Sequence, residues 1–482
     1  SAAFIPTFVD YLNKKSKEEA AHLVNLVATA IILLVGSLCV LGIFASPWLV
    51  ALVTGHWVED APEKYTLAVR LTQVMFPFLL LVALAAQAMG VLNSLNQFTV
   101  PAFSSTWFNV GSVVFGVLLG FVAGPHIGLA RIEGMAIGVV IGGALQLLWQ
   151  IPSLYRAGFR FRFAFDWNHP GLRHIFHLMG PAILGGASVQ INVLVNTVFA
   201  TSIDDPIRGV DGPVAWLGYA FRFMQLPLGL FGVAIATATL PAIGRSASSG
   251  NMEEFRETLA RSLGLVFLLT VPSSVGLILL GPSIVGAIYE GAKFQPYDTQ
   301  QTARALSFFA IGLAGYAATK VLVPAFYALK DSRTPMYVSI ASIAINAGMG
   351  YSLVRVVGMG HSGLALATSA VALFSFFVLF WLMKVRIGGV YGRRLRSVIL
   401  KVTLASAVMG AAVWGSSHFI QSLAGIAPMT RLIDLAITIP LGIAILYFVC
   451  RALRVEELSM AVNAVGGPIA RRFSALNAKL GS

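Results

Sequence analysis

Long apolar runs alternate with short polar loops along this chain. Twelve runs approach or exceed the roughly 20 residues that a helix needs to cross a hydrocarbon core. They are Leu23 to Val53, Leu67 to Leu92, Phe103 to Val122, Gly134 to Leu154, Leu172 to Ala200 and Val214 to Ala242, then Leu263 to Val285, Ala305 to Ala328, Met336 to Val357, Leu364 to Met383, Val398 to Phe419 and Leu432 to Val449. Ser1 to Asp10 reads as the tail of one more helix. The pattern predicts an all-α, polytopic membrane helix bundle.

Composition supports the bilayer as solvent. Charged residues make up 11% of the chain and hydrophobic ones 57%, with a mean hydropathy of +0.81. A soluble domain carries about 25% charged residues. The net charge of +13 therefore reads as basic loops at a membrane face, not as a nucleic-acid surface. Cys39 and Cys450 lie in apolar runs and read as small buried hydrophobes. The opening Ser1-Ala2-Ala3-Phe4-Ile5-Pro6 has neither an initiator Met nor a basic signal-peptide start. It suggests a chain that lacks its true beginning.

Basic residues orient the bundle. With Lys14, Lys15 and Lys17 inside and the spans alternating, inside loops and tail hold 22 Lys and Arg, against 5 in outside loops. That bias puts both the first loop and the C-terminus in the cytoplasm. Arg451, Arg454, Arg471 and Arg472 could set the tail as an amphipathic helix on an anionic leaflet; a plain solvated tail fits as well.

An internal repeat underlies the spans. Pro6 and Pro241 lie 235 residues apart, as do Glu18-Glu19 and Glu253-Glu254, and Pro47 and Pro282. Pro101 and Pro335 lie 234 apart, each opening a span. A parallel duplication of this kind builds transporters whose site lies between two lobes. Carried back from Leu172, the offset points before Ser1. The expectation is two six-helix lobes plus two further helices, with the first helix and most of the second absent. The boundaries that follow are 1–165 for an incomplete N-terminal lobe, 166–390 for the C-terminal lobe, 391–452 for two additional helices and 453–482 for a tail.

Polar residues within spans are the candidate chemistry. Arg222 has no acid near it in sequence. A planar guanidinium facing a cavity suits a phosphate; snorkelling to an interface is the bland alternative. Lys320 sits mid-span and could help hold a diphosphate, or be structural. Arg70 and Lys401 lie near span ends, where snorkelling explains them. Asn192 and Asn196 share a helix face, while Gln190 points elsewhere. These, with Asn109 and Asn346, could line a cavity, but interhelical hydrogen bonding is the default reading. Prolines at 77, 181, 227, 272, 324 and 440 bend spans, as alternating access would require. No P-loop is present. His174 and His177 have no carboxylate beside them, and carboxylates fall mostly in loops. Hence no cofactor, metal or acid–base pair is expected.

Several stretches carry a family resemblance: Ser1 to Pro6; Gly90-Val91-Leu92-Asn93-Ser94 with Val100-Pro101-Ala102-Phe103 and Asn109; Gly180-Pro181 with Gln190-Ile191-Asn192; Leu226-Pro227-Leu228-Gly229 with Gly232-Val233-Ala234; Val323 to Ala328 with Thr334-Pro335; and Gly363 to Ser369. In this order they resemble the MurJ (MviN) lipid II flippases of the multidrug/oligosaccharidyl-lipid/polysaccharide exporter superfamily. The resemblance implies fourteen helices, a bacterial inner-membrane location, and lipid II, the undecaprenyl-diphosphate-linked disaccharide peptide, as cargo. Membrane lipids and cell-wall synthesis proteins are the other implied partners. Arg222 resembles the family's functional arginine in its eighth helix. Asn196 and Gly350 match positions where some relatives carry sodium-binding acids, which argues against sodium coupling here. Three rivals stay open: export of another polyprenyl-linked oligosaccharide or of drugs, a membrane glycosyltransferase or ligase on such lipids, and a non-transporting scaffold for cell-wall synthesis.

Overall fold

The computed structural model describes residues 4–55, 57–209, 211–291, 293–389, 392–425 and 427–462, apart from some side chains inside helices. The side chains of Pro6, Gly180 and Pro181 and the tail arginines Arg471 and Arg472 lie outside the described residues. Within the described residues the chain is helical, apart from loops and one isolated bridge between Asp205 and Gly209. It forms two compact units, Ser1–Ala187 and Ser188–Ser482.

The first unit holds α1 (Phe4–Lys14), α2 (Lys17–Thr54), the short α3 (Trp57–Asp60), α4 (Pro62–Ser94), α5 (Thr99–Val117), a π-helical turn over Leu118–Val122, α6 (Arg131–Arg156) and the start of α7 (Pro170–Thr201). The second holds the end of α7, then α8 (Pro213–Pro227), a π-helical turn over Leu228–Val233, α9 (Ala234–Ser248), α10 (Met252–Tyr289), α11 (Pro296–Ile311), α12 (Leu313–Ala328), α13 (Arg333–Tyr351), a π-helical turn over Ser352–Val356, α14 (His361–Arg386), α15 (Gly392–Ala424) and α16 (Pro428–Ala452). Among the described residues ten helices are long and apolar enough to cross a membrane. The pair α11 and α12, bent by 44°, makes an eleventh. The remaining expected span, Leu172 to Ala200, falls within α7.

The repeat is visible in backbone detail. Helices α2 and α10 each have 38 residues and begin 235 apart. Ser16 caps the first by accepting from the Glu19 amide; Asn251 caps the second by accepting from the Glu254 amide. Both caps satisfy an otherwise unpaired N–H. Helices α5 and α13 each have 19 residues, and each runs into a π-helical turn of five. Helices α6 and α14 each have 26 residues. The 33-residue α4 corresponds to the broken pair α11–α12, interrupted at Gly312.

Packing in the first unit leans on small residues. On α6, Gly134, Gly138 and Gly142 recur every four residues along one face. A Cβ at Gly138 would overlap the backbone of Gly116, so bare backbones meet there. Without a hydrophobic drive between helices in lipid, such close approach supplies the packing contacts. Phe4, Phe8, Leu23, Phe159, Leu172 and Ile175 form an adjoining core.

Candidate substrate-binding site

Arg222 is placed by the buried face of its own helix. Trp216, Ala220 and Met224 are buried at four-residue spacing on α8. At about 100° per residue, Arg222 lies nearly opposite Ala220. Its side chain is exposed, with Cζ 5.7 Å from the Tyr219 ring centroid. Gly218 and Gly229, on the same side, have open space where a Cβ would stand. Pro227 ends α8 without a backbone N–H, and the π-helical turn Leu228–Val233 follows at once.

Lys320 follows the same logic on α12. Ala317, Ala318, Val321 and Leu322 are buried, and Lys320 is exposed on the other side. Pro324, four residues on, leaves the Lys320 carbonyl without its helical donor. Gln190 is exposed on α7 and Asn192 half-buried. Asn109, on α5, is exposed and donates to the Ser105 carbonyl of its own helix at 3.0 Å. Among the described residues, Arg222, Lys320 and Gln190 share no hydrogen bond with one another.

Several other charges within or at the ends of spans are engaged. Arg70 forms an ion pair with Glu133 of α6 at 2.9 Å. Arg70 stays largely exposed, as snorkelling expects, but it also serves Glu133, which is only 3% exposed and whose second oxygen accepts from the Ala130 amide. A carboxylate so buried requires a counter-charge. Arg431 pairs with Glu290, and a Cβ at Gly286 would overlap its guanidinium. Lys401 donates to the Arg454 carbonyl. Asp434 is fully buried and accepts from Ser283, Ser417, Gln421 and Thr438. Carboxylates are thus not confined to loops. Neither Arg222 nor Lys320 has an ion pair or hydrogen bond to a described residue.

The asparagines divide. Asn196 donates to Thr368 of α14 at 3.1 Å and accepts from Asn346 of α13 at 2.9 Å. Both do the interhelical bonding expected by default. Gly350 packs near Phe199 and Leu364.

The acidic loop after α7 is a brace. Asp205 accepts from the Ile207 and Arg208 amides and from the Tyr297 hydroxyl at 2.8 Å. Burial pushes its pKa up, but these bonds outweigh it and hold the carboxyl below its ordinary value. Arg208 in turn grips Asp298 through two nitrogens. Both carboxylates of this loop and α11 are thus taken up by partners within the brace.

Comparison with known proteins decides the family. The family model described as lipid II flippase MurJ matches residues 1–432. The chain belongs to that family. A Burkholderia cenocepacia protein named "Lipid II flippase MurJ" is 29% identical over 455 residues, covering 93% of this chain and 85% of the relative. A Buchnera aphidicola subsp. Acyrthosiphon pisum protein named "Probable lipid II flippase MurJ" is 30% identical over 379 residues, covering 79% and 71%. Among solved structures, a lipid II flippase MurJ in an inward closed conformation aligns with a TM-score of 0.73 at 24% identity, covering 94% of this chain and 88% of that one. An inward-facing multidrug resistance MATE transporter aligns with a TM-score of 0.70 at 14% identity, over 80% and 85%. These likenesses establish the exporter fold, a polytopic membrane protein and the family.

Proposed function

We propose that this protein is a lipid II flippase of a bacterial inner membrane, carrying the precursor from the cytoplasmic to the outer leaflet by alternating access. Family membership across residues 1–432 supports the cargo. The observation that carries the mechanism is Arg222, an exposed guanidinium eight residues inside a span at Val214, with no carboxylate partner among the described residues. Arg222 binds the lipid diphosphate bidentately. Lys320 adds charge, and Gln190, Asn192 and Asn109 offer hydrogen bonds to the head group.

The polyprenyl tail stays in lipid while the lobes, 1–165 and 166–390, rock about the head group. Residues 391–452 supply the two further helices. The first loop and residues 453–482 face the cytoplasm, as the basic-residue bias favours. Membrane potential can drive the step, since one charge crossing 100 mV is worth about 2.3 kcal/mol. Cell-wall synthesis proteins are the partners that would consume the product.

Replacing Arg222 with Ala tests the reading. A hydrogen bond to a charged group is worth about 1.5–3 kcal/mol, so lipid II flipping in proteoliposomes is expected to fall at least roughly tenfold. Lys should restore part of it. Unchanged flipping overturns the role of Arg222. Competition between lipid II and other polyprenyl diphosphates for the purified protein separates the cargo from its rivals.

A further inference from the structure

The linker between α6 and α7 carries an unexplained row of aromatics. Residues 159–166 form no helix. Phe161, Phe163 and Phe165 alternate with other residues, a spacing that in extended chain sets them on one side, and Trp167 follows in the turn before α7. They are 42%, 61%, 68% and 46% exposed. Phe161 and Phe163 rings meet edge-on at 4.9 Å, and Phe163 and Phe165 stack at 6.3 Å. An exposed cluster of this kind marks an interaction surface.

The segment runs along the flank of α2. Asn25 accepts from the Arg162 amide at 3.2 Å, and Thr29 from the Ala164 amide at 3.1 Å. Both lie inside the apolar run that starts at Leu23. Non-helical backbone at membrane depth needs its donors satisfied by protein, and one α2 face supplies two acceptors, four residues apart. At 1.5 Å per residue, Thr29 lies about 9 Å beyond Leu23, near the polar end of that run. On α10 the residue 235 later, Gly264, packs against Glu457 just beyond α16. The extended segment therefore holds on α2 the flank that the C-terminal residues hold on α10.

We propose that residues 159–167 are an interfacial anchor whose partner is an anionic phospholipid leaflet. Aromatic side chains favour the boundary between head groups and acyl chains. Arg160 and Arg162 are exposed between the rings, with Arg156 one turn upstream and Lys17 beside Gly158. Asp166 is the acid of the stretch. The surplus of cations attracts lipid phosphates. The leaflet is the inner one on the orientation proposed above.

A nitroxide placed by Phe163→Cys, with Cys39 and Cys450 replaced, tests this in reconstituted protein. In vesicles of phosphatidylethanolamine with phosphatidylglycerol, oxygen should relax the label severalfold more than a water-soluble nickel chelate. Nickel access exceeding oxygen access, or access to neither, overturns the anchor. Phosphatidylglycerol should draw the label deeper, and Arg160→Gln with Arg162→Gln should abolish that shift. A shift independent of the arginines overturns the anionic-lipid assignment. An impermeant thiol reagent reaching Arg160→Cys from the periplasmic-equivalent side overturns only the choice of leaflet, leaving the anchor itself intact.

Discussion

At the residue scale, this chain separates cations that hold structure from cations that are left exposed. Arg70, Arg431 and Arg208 each found a carboxylate far away in sequence: Glu133, Glu290 and Asp298. Proximity along the chain shows none of these pairs, because each is formed by packing. Arg222 was legible as a candidate from its span, but its exposed side required knowing which face of α8 is buried. Asp331 illustrates a titratable brace outside the spans. It accepts from the Thr334 amide and hydroxyl and from Arg386 at 2.6 Å. Burial raises its pKa, yet these partners outweigh it and hold the carboxyl below its ordinary value. A depressed folded pKa contributes stability that is complete above the unfolded value, about 3.9, and is lost as pH falls through the folded value. Asp331→Asn should therefore lower the melting temperature at neutral pH. The gap from the unsubstituted protein should narrow as pH falls below about 4, which thermal unfolding across pH reads directly.

At the element scale, the decisive features are breaks and seams. Prolines 227 and 324 were legible as bends; that Pro227 leads directly into a π-helical turn became visible only in the backbone. Helices α15 and α16 were readable as two extra spans, but the way they attach to α10 was not. Asp434 of α16 gathers Ser283 of α10 with Ser417 and Gln421 of α15, so one carboxylate ties three helices. Asp434→Ala would leave buried donors without an acceptor, at about 1–3 kcal/mol. It should loosen α15 and α16, seen as faster hydrogen exchange in both helices. Asp434→Asn keeps one acceptor oxygen and should exchange more slowly than the Ala variant. Equal exchange in all three proteins would show that the cluster does not hold the helices.

At the scale of the whole molecule, the duplication is the organising fact. Three spaced pairs of prolines and a repeated glutamate pair announced it, and matched helix lengths, caps and π-helical turns bear it out. The copies also differ: α4 is continuous through Pro77, whereas its counterpart breaks at Gly312. The proposed orientation makes a plain prediction. Lys293 and Arg333 are exposed at opposite ends of α11–α12. Cysteines there should react with an impermeant thiol reagent from opposite faces of the membrane, with position 333 reached from the cytoplasm. Labelling of both from one face would break the topology.

The sequence alone determined that this is a helical membrane protein with a duplicated core and an Arg inside a span, and its motifs resembled one flippase family. Hydropathy and proline spacing are local or periodic properties, so a linear reading reaches them. Tertiary structure alone decided which charges neutralise one another and which side of α8 is open. It also decided that Asn25 and Thr29 hold the linker backbone instead of a neighbouring helix. Those outcomes depend on which faces meet, and residues 63 to 151 positions apart come together only when the bundle packs.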